Sequence, residues 1–403
     1  MATYGSPGVY VQEVSSGSAP IAGVGTSTPG FIGRFGDSIT VATSGSDVTF
    51  APARKNDVKM VTNFTEFKNS FGDFSKDEGQ VRLAHGVYGF FKNGGTRCYV
   101  GRVGASDDLS GVLSQFEAID DISMVVAPGV TDKTLQGDII NHCALLQNRV
   151  AILDAPEATV TTDSTTGVKT YTPVFPEPQG TTVRPGNSSY AAYYYPWIQV
   201  YDPATKAANP SGDGLRYVPP SGHMAGLFAR VDQQRGVHKA PANEVVYGAV
   251  GLRWNVSKAL QDTLNPDGIN VIRNLNGNIR IWGARTLGGD ANGEFKYINV
   301  RRLFCFLRDS IDRGLQWSVF EPNDPGLWAK IRRNLSAFLG IVWESGALFG
   351  NTAPEAFYVK CDEETNPPAQ RDLGMVTTEI GVSITRPAEF VIFKLGQWTA
   401  SAK

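Results

Sequence analysis

One segment of the chain places two short apolar runs on either side of a helical pattern. Residues 123–129 (SMVVAPG) and 150–154 (VAILD) are apolar, and residues 135–148 between them have apolar positions at helical spacing. Two buried strands joined by a helix of this length are typical of a βαβ unit, in which the strands are parallel. The segment therefore predicts a sheet that is at least partly parallel.

The length and composition of the chain indicate several mixed domains. A chain of 403 residues is too long for one ordinary compact core, since domains contain roughly 100–200 residues. Its 41% hydrophobic and 19% charged residues are typical of a globular protein, and 44 Gly and 23 Pro indicate many turns. These proportions argue against an all-α fold and favour a mixed α/β or α+β fold.

Charge, cysteine usage and hydropathy exclude several classes of partner and site. A net charge of −2 provides no basic field for nucleic acid, so we expect no direct nucleic-acid partner. The four cysteines, Cys98, Cys143, Cys305 and Cys361, lack CxxC spacing, which indicates reduced, buried thiols. No apolar run reaches about 18 residues and no export signal is visible, so we expect synthesis in the cytoplasm and no membrane insertion.

Further segments have patterns of helices, strands and an insertion. The pattern of residues 58–100 predicts helices that end at a Gly-Gly pair, followed by a strand at 98–100. Residues 157–190 are rich in Thr, Pro, Gly and Ser, a composition that predicts a surface insertion. The last part of the chain predicts an α+β layer. Its expected strands lie at 279–282, 356–361, 381–385 and 390–393, and its expected helices at 300–316 and 327–342.

Motifs for catalysis or cofactor binding are weak in this sequence. The Gly-rich run at residues 23–28 lacks the final glycine of a phosphate-binding loop. Ser221 and His223 are two residues apart, a spacing that favours a helix start over a nucleophile and its base. The Glu363-Glu364 pair precedes an Asn-Pro-Pro turn and reads as a solvated cluster. The histidines, which are His85, His142, His223 and His238, show no ligand spacing, so we expect no cofactor, no metal and no enzymatic activity.

The helix expected at 327–342 has an apolar face and a basic face. Trp328, Ile331, Leu335, Phe338 and Leu339 share the apolar face, and Lys330, Arg332 and Arg333 lie away from it. The simplest interpretation is an amphipathic helix whose basic face is solvated. The alternative is that the basic face docks on an acidic partner surface.

Both ends of the chain contain a short strand pattern without a core of its own. Val9, Tyr10 and Val11 lie among Gly, Ser and Pro in an extended arm, and Phe390, Val391, Ile392 and Phe393 follow an Arg-Pro pair. An apolar strand with a free edge aggregates unless it is paired or covered. Each end therefore needs a partner strand.

Several phrases of the sequence resemble contractile tail sheath proteins in the same order along the chain. The C-terminal third contains INVRRL, VFEPND, AFYVKCDEETN and RPAEFVIFKLGQW, and the opening contains SPGVYVQEV. Between them lie FFKNGGTRCYV, YYYPWIQVYDP, VPPSGHMAGLFARVD, LNPDGINVI and IWGARTL. The resemblance covers nearly the whole chain and departs from the family mainly at residues 40–57 and 157–190.

The resemblance implies a multidomain sheath fold with exchanged terminal strands. It implies an N-terminal arm at 1–35, an N-terminal subdomain at 36–110, a middle α/β domain at 111–278 and a C-terminal α+β core domain at 279–403. In such proteins the terminal strands add to a sheet in neighbouring subunits. Here those strands would be Val9–Val11 and Phe390–Phe393, and the basic residues Lys330, Arg332 and Arg333 would attach to an inner tube.

The resemblance also implies function and partners. Sheath proteins form stacked hexameric rings in a helical sheath around an inner tube, bind baseplate and terminal cap proteins, and contract without nucleotide hydrolysis to drive the tube through a target envelope. The compact size favours an extracellular or cell-anchored contractile injection system over a bacteriophage tail. The particle would assemble in the bacterial cytoplasm, and partners would release it or anchor it to a membrane.

Two other classes of function remain open at this point. One is an enzyme with a substrate cleft at the ends of the strands near Val126 and Leu153, where open α/β sheets bind ligands. The other is a self-assembling surface or capsule protein that exchanges strands without contracting.

Overall fold

The structure of the chain is a computed structural model that describes residues 20–41, 47–163, 167–177 and 182–392. The chain divides into two compact units. The larger unit contains Val24–Phe306 and Ile384–Lys403, and the smaller unit contains Met1–Gly23 and Leu307–Ser383. The division lies inside one helix, Ile298–Leu315.

An eight-stranded sheet forms the centre of the larger unit. The strands of this unit are β1 (Pro29–Arg34), β2 (Ile39–Val41), β3 (Val48–Phe50), β4 (Val58–Val61), β5 (Cys98–Val103), β6 (Met124–Val126), β7 (Val150–Asp154), β8 (Thr159–Thr162), β9 (Lys169–Thr172), β10 (Ala191–Tyr195), β11 (Ile198–Tyr201), β12 (Leu215–Val218), β13 (Ala249–Leu252), β14 (Ile269–Leu275) and β15 (Asn278–Ile281). The central sheet has the order β15-β14-β10-β7-β6-β1-β5-β4, in which β15 and β4 are antiparallel edges and the six strands between them are parallel.

Helices cover both faces of this sheet. The helices of the larger unit are α1 (Phe64–Phe71), α2 (Glu78–Lys92), α3 (Ser110–Glu117), α4 (Lys133–Leu146), α5 (Pro203–Ala208), α6 (Ser221–Arg235), α7 (Lys258–Leu264) and the N-terminal part of α8 (Ile298–Leu315). Strand β10 shows the consequence for the sequence: Ala192 and Tyr194 belong to the same core as α2 and α6, whereas Tyr193 and Tyr195 belong to the core of α3 and α4. Alternate residues of a strand point to opposite faces, so every position of β10 is apolar or aromatic and buried.

The predicted βαβ unit is confirmed. Strands β6 and β7 pair in parallel, and α4 connects them. Helix α4 begins at Asp132, whose carboxylate accepts hydrogen bonds from the amides of Thr134 and Leu135. A side chain that accepts from these otherwise unpaired amides stabilises the helix start.

Helices α2 and α6 approach each other closely because glycines lie at their contact. A Cβ atom on Gly222 would lie 2.3 Å from the Cα of Gly86, and one on Gly226 would lie 2.3 Å from the carbonyl oxygen of Phe90. Neither distance leaves room for a methyl group. The glycines therefore set how deeply α6 packs against α2.

The segment 157–190 is only partly a surface insertion. Its strands β8 and β9 pair antiparallel, and every residue of these two strands is exposed. The expectation of a purely external segment was wrong for Val174 and Phe175, each of which is buried in the core beneath β10. Phe175 meets Tyr195 edge to face with ring centroids 5.0 Å apart, a favourable aromatic geometry.

The smaller unit combines two-stranded pairing with a long amphipathic helix. It contains the C-terminal part of α8, then α9 (Pro325–Glu344), α10 (Ala353–Ala356), β16 (Phe357–Lys360), α11 (Pro368–Asp372) and β17 (Glu379–Val382). The apolar face predicted for α9 is confirmed, and it is extended by Leu327 and Val342. Asp324 caps the helix by accepting from the amide of Leu327.

The domain boundary expected between residues 278 and 279 lies in a continuous hairpin. Strand β15 begins at Asn278 and pairs with β14 through Leu275 and Ile272. The two compact units divide between Phe306 and Leu307. The hairpin stays with the central sheet because Ile279 and Ile281 are buried in its core.

A buried ion pair joins α8 to α6 within the larger unit, and we expect it to dominate local stability. Arg302 donates from Nη1 to Asp232 Oδ1 at 2.9 Å, and both side chains are only 3% exposed. Removing one partner of a buried pair leaves an uncompensated charge, which costs about 3–5 kcal/mol. We predict that Asp232→Ala lowers the free energy of unfolding of the larger unit by this amount in urea titrations.

The matched control is Asp262→Ala. Asp262 pairs with Lys258 at 3.0 Å on the surface of α7, where such pairs contribute about 0–1 kcal/mol. Equal losses of stability in the two variants would show that burial of the Arg302–Asp232 pair has no special effect.

Candidate functional site

The smaller unit presents a sheet of only two strands. Strands β16 and β17 are antiparallel, with Tyr358 opposite Gly381 and Val359 opposite Ile380. In the part of the chain that the structure describes, neither strand pairs with a third. The sheet therefore has two edges that another strand can extend, and it packs against α9 through β16.

The hydrogen-bond register defines which residues face outward along these edges. The amide of Ser383 donates to the carbonyl of Ala356 at 2.8 Å, directly after the register pair of Phe357 and Val382. Bonded and non-bonded pairs alternate in antiparallel sheets. The backbone groups of Ile380 and Val382 therefore point away from β16, toward the outer edge of β17. Such groups can accept and donate to an added strand.

The C-terminal residues proposed for strand exchange are exposed where the structure describes them. Phe390, Val391 and Ile392 are 69%, 70% and 82% exposed and form no strand within the chain. The other four residues, Val9, Tyr10, Val11 and Phe393, lie outside the described residues. Three consecutive exposed apolar side chains are an unusual feature for a surface that remains in water.

The basic residues of α9 differ in their surroundings. Lys330, Arg332 and Arg333 are all exposed, but Arg332 donates from Nη1 to the carbonyl of Cys361 at 2.7 Å. Arg332 thereby connects α9 to the end of β16. This contact gives Arg332 a structural role, and Lys330 and Arg333 are the better candidates for binding a separate acidic surface.

The carboxyl end of β7, where an enzyme would place ligands, is filled by a structural carboxylate. Asp154 accepts from the amide and the hydroxyl of Ser221 at 2.8 and 2.6 Å, and from the amide of Gly129 at 3.0 Å. Burial raises the pKa of Asp154 to about 6, although the hydrogen bonds from Ser221 and Gly129 oppose this shift. The carboxylate accepts a hydrogen bond from the first amide of α6, and the N-cap residue Pro220 has no side-chain group that could do so.

Ser221 and His223 do not form a nucleophile and base. The Ser221 hydroxyl is buried against Asp154, and the His223 ring packs against Gly89 of α2. Burial lowers the pKa of His223 to about 3, so the imidazole is neutral. The role of Asp154 was not predicted from the sequence, although its place directly after the apolar run VAIL was a usable signal for a residue at the end of a strand.

Buried titratable residues elsewhere do not assemble into a metal centre. No group of three His, Cys, Asp or Glu side chains able to hold a metal ion occurs within the described ranges. His85 Nε2 lies 3.3 Å from Asp202 Oδ1, with both side chains almost fully buried. All four cysteine side chains are buried, and burial raises the pKa of the Cys98 and Cys143 thiols. Glu364 lies beside Lys360, 2.5 Å from its ammonium group.

We also examined whether any described helix could span a membrane. None of them combines the length and the apolar character that a bilayer span requires.

Two domains of one known protein family match consecutive parts of the chain. The phage tail sheath protein central domain matches residues 104–287. The phage tail sheath C-terminal domain matches residues 290–396. Together these matches cover well over half of the chain, and they contain all the described surfaces discussed above.

Individual relatives support the same assignment. The tail sheath protein of Burkholderia phage BcepMu is 25% identical over 279 residues, which cover 67% of this chain and 54% of the phage protein. The match thus spans about half of that relative's length.

Solved structures match over nearly their whole length. The sheath complex of an extracellular contractile injection system, PVC, in the contracted state has 27% identity and a TM-score of 0.73, covering 98% of this chain and 99% of that chain. A chain of the anti-feeding prophage (AFP) baseplate has 26% identity and a TM-score of 0.70, covering 98% and 100%. These matches confirm the mixed α/β fold class expected from the sequence.

The contacts of Asp202 predict a defined dependence of stability on pH. Burial opposes ionisation of Asp202, but the His85 ring 3.3 Å from its carboxylate and the hydrogen bonds from Thr205 and Ala204 outweigh it and lower the pKa to about 2. A carboxyl whose pKa is lowered by folding stabilises the protein above its unfolded pKa of about 3.9 and loses that contribution as pH falls through about 2.

We therefore predict that Asp202→Asn destabilises the chain by about 1–3 kcal/mol at pH 6, as expected for lost hydrogen bonds to a charged group. The difference from the wild type should shrink as pH falls from about 4 to 2, which denaturant titrations at several pH values would measure. Asp213→Asn, at an exposed turn, is the control. A difference that stays constant over this range would show that ionised Asp202 is not the stabilising form.

Proposed function

Because the chain belongs to the phage tail sheath family, we propose that it is the structural subunit of a contractile sheath. In this proposal the chain polymerises helically around an inner tube. Contraction of the sheath then drives the tube through a target envelope. The protein acts as a structural component and not as an enzyme.

The observation that carries this proposal is the two-stranded sheet β16–β17, which has no third strand among the described residues. It offers two strand edges in the smaller unit, and the larger unit presents the exposed apolar residues Phe390, Val391 and Ile392. Strand addition to an exposed edge supplies backbone hydrogen bonds between chains. The geometry therefore suits a subunit that donates a terminal strand and accepts one from another copy.

Strand addition also suits contraction. Backbone hydrogen bonds join chains without fixing the angle between the rigid units that they connect. We infer that contraction rearranges whole units while the exchanged strands stay paired. The stroke draws on a metastable extended lattice that relaxes to a more stable one, so it requires no nucleotide hydrolysis.

Four kinds of partner follow from this role. They are further copies of the chain in stacked hexameric rings, an inner tube protein, baseplate proteins and a terminal cap protein. The similarity to chains in the PVC sheath complex and the AFP baseplate supports the first and third of these.

We place the chain in a contractile injection system of the extracellular or cell-anchored kind. The PVC chain is matched over 99% of its length, whereas only 54% of the BcepMu phage protein is matched. The equally compact size of the injection-system chain supports this setting over a bacteriophage tail. Assembly in the bacterial cytoplasm, followed by release or membrane anchoring through partners, fits such a particle.

Assembly in vitro tests strand addition directly. We predict that the wild type, purified alone or with the candidate tube protein, forms hollow striated cylinders in negative-stain electron microscopy. Ile380→Pro should abolish them, because proline removes the outward N–H of β17 while remaining compatible with an edge strand. The free subunit should retain its circular dichroism spectrum.

Ile380→Thr is the matched control, since it keeps the N–H and changes only the side chain. Cylinders formed by Ile380→Pro would exclude the β17 edge as a strand acceptor. A wild type that forms only monomers or small closed oligomers under all conditions would overturn the sheath assignment and return attention to the enzyme hypothesis.

Charge reversal on α9 tests tube attachment. We propose that Lys330 and Arg333 bind an acidic tube surface, and we predict that Lys330→Glu and Arg333→Glu each reduce recovery of co-purified tube protein, more strongly at low salt. Single contacts of this kind contribute only about 0–1 kcal/mol, but they repeat in every subunit. Arg332 is left unchanged because it bonds to Cys361.

Lys169→Glu on the exposed hairpin β8–β9 is the control for charge reversal elsewhere. Unchanged tube recovery in the α9 variants would exclude attachment through this face, without affecting the assembly result above.

A further inference from the structure

The carboxylate of Glu389 occupies a socket in the larger unit, directly before the exposed residues 390–392. Arg285 donates from Nε to Glu389 Oε1 at 2.8 Å and from Nη2 to Oε2 at 2.9 Å. Asn265 Nδ2 donates to Oε1 at 2.7 Å, and the Tyr297 hydroxyl donates to Oε2 at 2.8 Å. One carboxylate thus receives four hydrogen bonds from three side chains.

The socket is held in place by contacts of its own. The backbone of Arg285 is fixed on both sides by the buried Asn270 side chain, which accepts from its amide and donates to its carbonyl, each at 2.8 Å. The third guanidinium nitrogen, Nη1, donates to the carbonyl of Asn265 and to Asp290, each at 3.0 Å. Tyr297 forms a β-bridge with Arg285. The donors that meet Glu389 are therefore oriented in advance.

Burial distinguishes this contact from an ordinary surface ion pair. The side chain of Arg285 is 4% exposed and that of Glu389 is 18% exposed. Bidentate arginine–carboxylate pairs are strong and directional. Burial alone would raise the pKa of Glu389, but hydrogen bonds from Arg285, Asn265 and Tyr297 hold the pKa below its ordinary value, so the carboxylate stays ionised at neutral pH.

We propose that Glu389 is a positioning residue that anchors the C-terminal segment in this socket, so that Phe390, Val391 and Ile392 leave the larger unit at a fixed point for pairing with a second copy of the chain. This inference rests on the sheath function proposed above. A strand that starts from a fixed point loses less conformational entropy on pairing than a free tail does. It also meets the neighbouring edge at a higher effective concentration.

The test compares Glu389→Gln with the wild type in two measurements. Glutamine keeps the size of the side chain but turns an amide group toward the arginine donors. In the free subunit, we expect hydrogen exchange of a peptide spanning residues 384–392 to accelerate at least about tenfold, with the thermal transition of the larger unit nearly unchanged. In assembly, we expect the subunit concentration needed for half-maximal cylinder formation to rise about tenfold.

Two further variants isolate the cause. Tyr297→Phe removes one donor without changing charge, and it should shift both measurements in the same direction by a smaller factor. Glu294→Gln removes an exposed carboxylate in the same unit and should behave as the wild type. Parallel effects in Glu294→Gln would mean that net charge, and not the socket, controls assembly.

The outcomes separate the anchor from the sheath function. Unchanged exchange of residues 384–392 in Glu389→Gln would overturn the anchor, whatever the assembly result. Accelerated exchange with unchanged assembly would overturn the positioning role alone. Failure of the wild type to form cylinders would overturn the proposed function, and the positioning role with it.

Discussion

Burial of the six parallel strands on both faces is the constraint on which the larger unit depends. A peptide group buried without a partner is costly, so each interior strand needs neighbours on both sides and helices above and below. Strand β10 meets this requirement with five buried residues divided between two cores. The helix starts then become buried as well, and α6 is capped by Asp154 from β7 instead of by water. Because these helix starts are buried, a polar residue at a strand end, such as Asp154, serves to satisfy their backbone amides.

In the smaller unit, by contrast, the strands of the sheet are not enclosed by neighbouring strands on both sides. Among the described residues, no third strand lies beside Ile380 and Val382, and α9 packs against β16. An isolated two-stranded sheet is marginal in water. Its stability therefore depends on packing against α9 and, in the proposed assembly, on a strand from another chain. In the proposed assembly, the sites of strand addition are therefore places where backbone hydrogen bonding among the described residues is incomplete.

Local patterns in the sequence predicted helices and strands, but they did not predict contacts between residues that are distant in the sequence. The βαβ unit around α4 and the apolar face of α9 depend on the pattern of apolar residues within single elements, and both are confirmed. Asp154, by contrast, acts on Ser221, 67 residues away, and Glu389 acts on Arg285, 104 residues away. No periodicity links such positions. The pattern at residues 390–393 does predict a strand, but a strand forms only with a partner, and residues 390–392 pair with no strand in the described part of the chain.

The burial of each charged residue matches the contact that we propose for it. Glu389 must fix one backbone point within a single chain, so a buried bidentate contact is suitable, because its directionality limits the exit direction of the segment that follows. Lys330 and Arg333, if they meet a tube, must release and slide when the sheath contracts. Exposed, well-hydrated charges suit that task, since each contact is weak and screened while the repeated array still provides attraction. A buried pair at the tube surface would instead resist contraction, because breaking it would expose an uncompensated charge at every subunit.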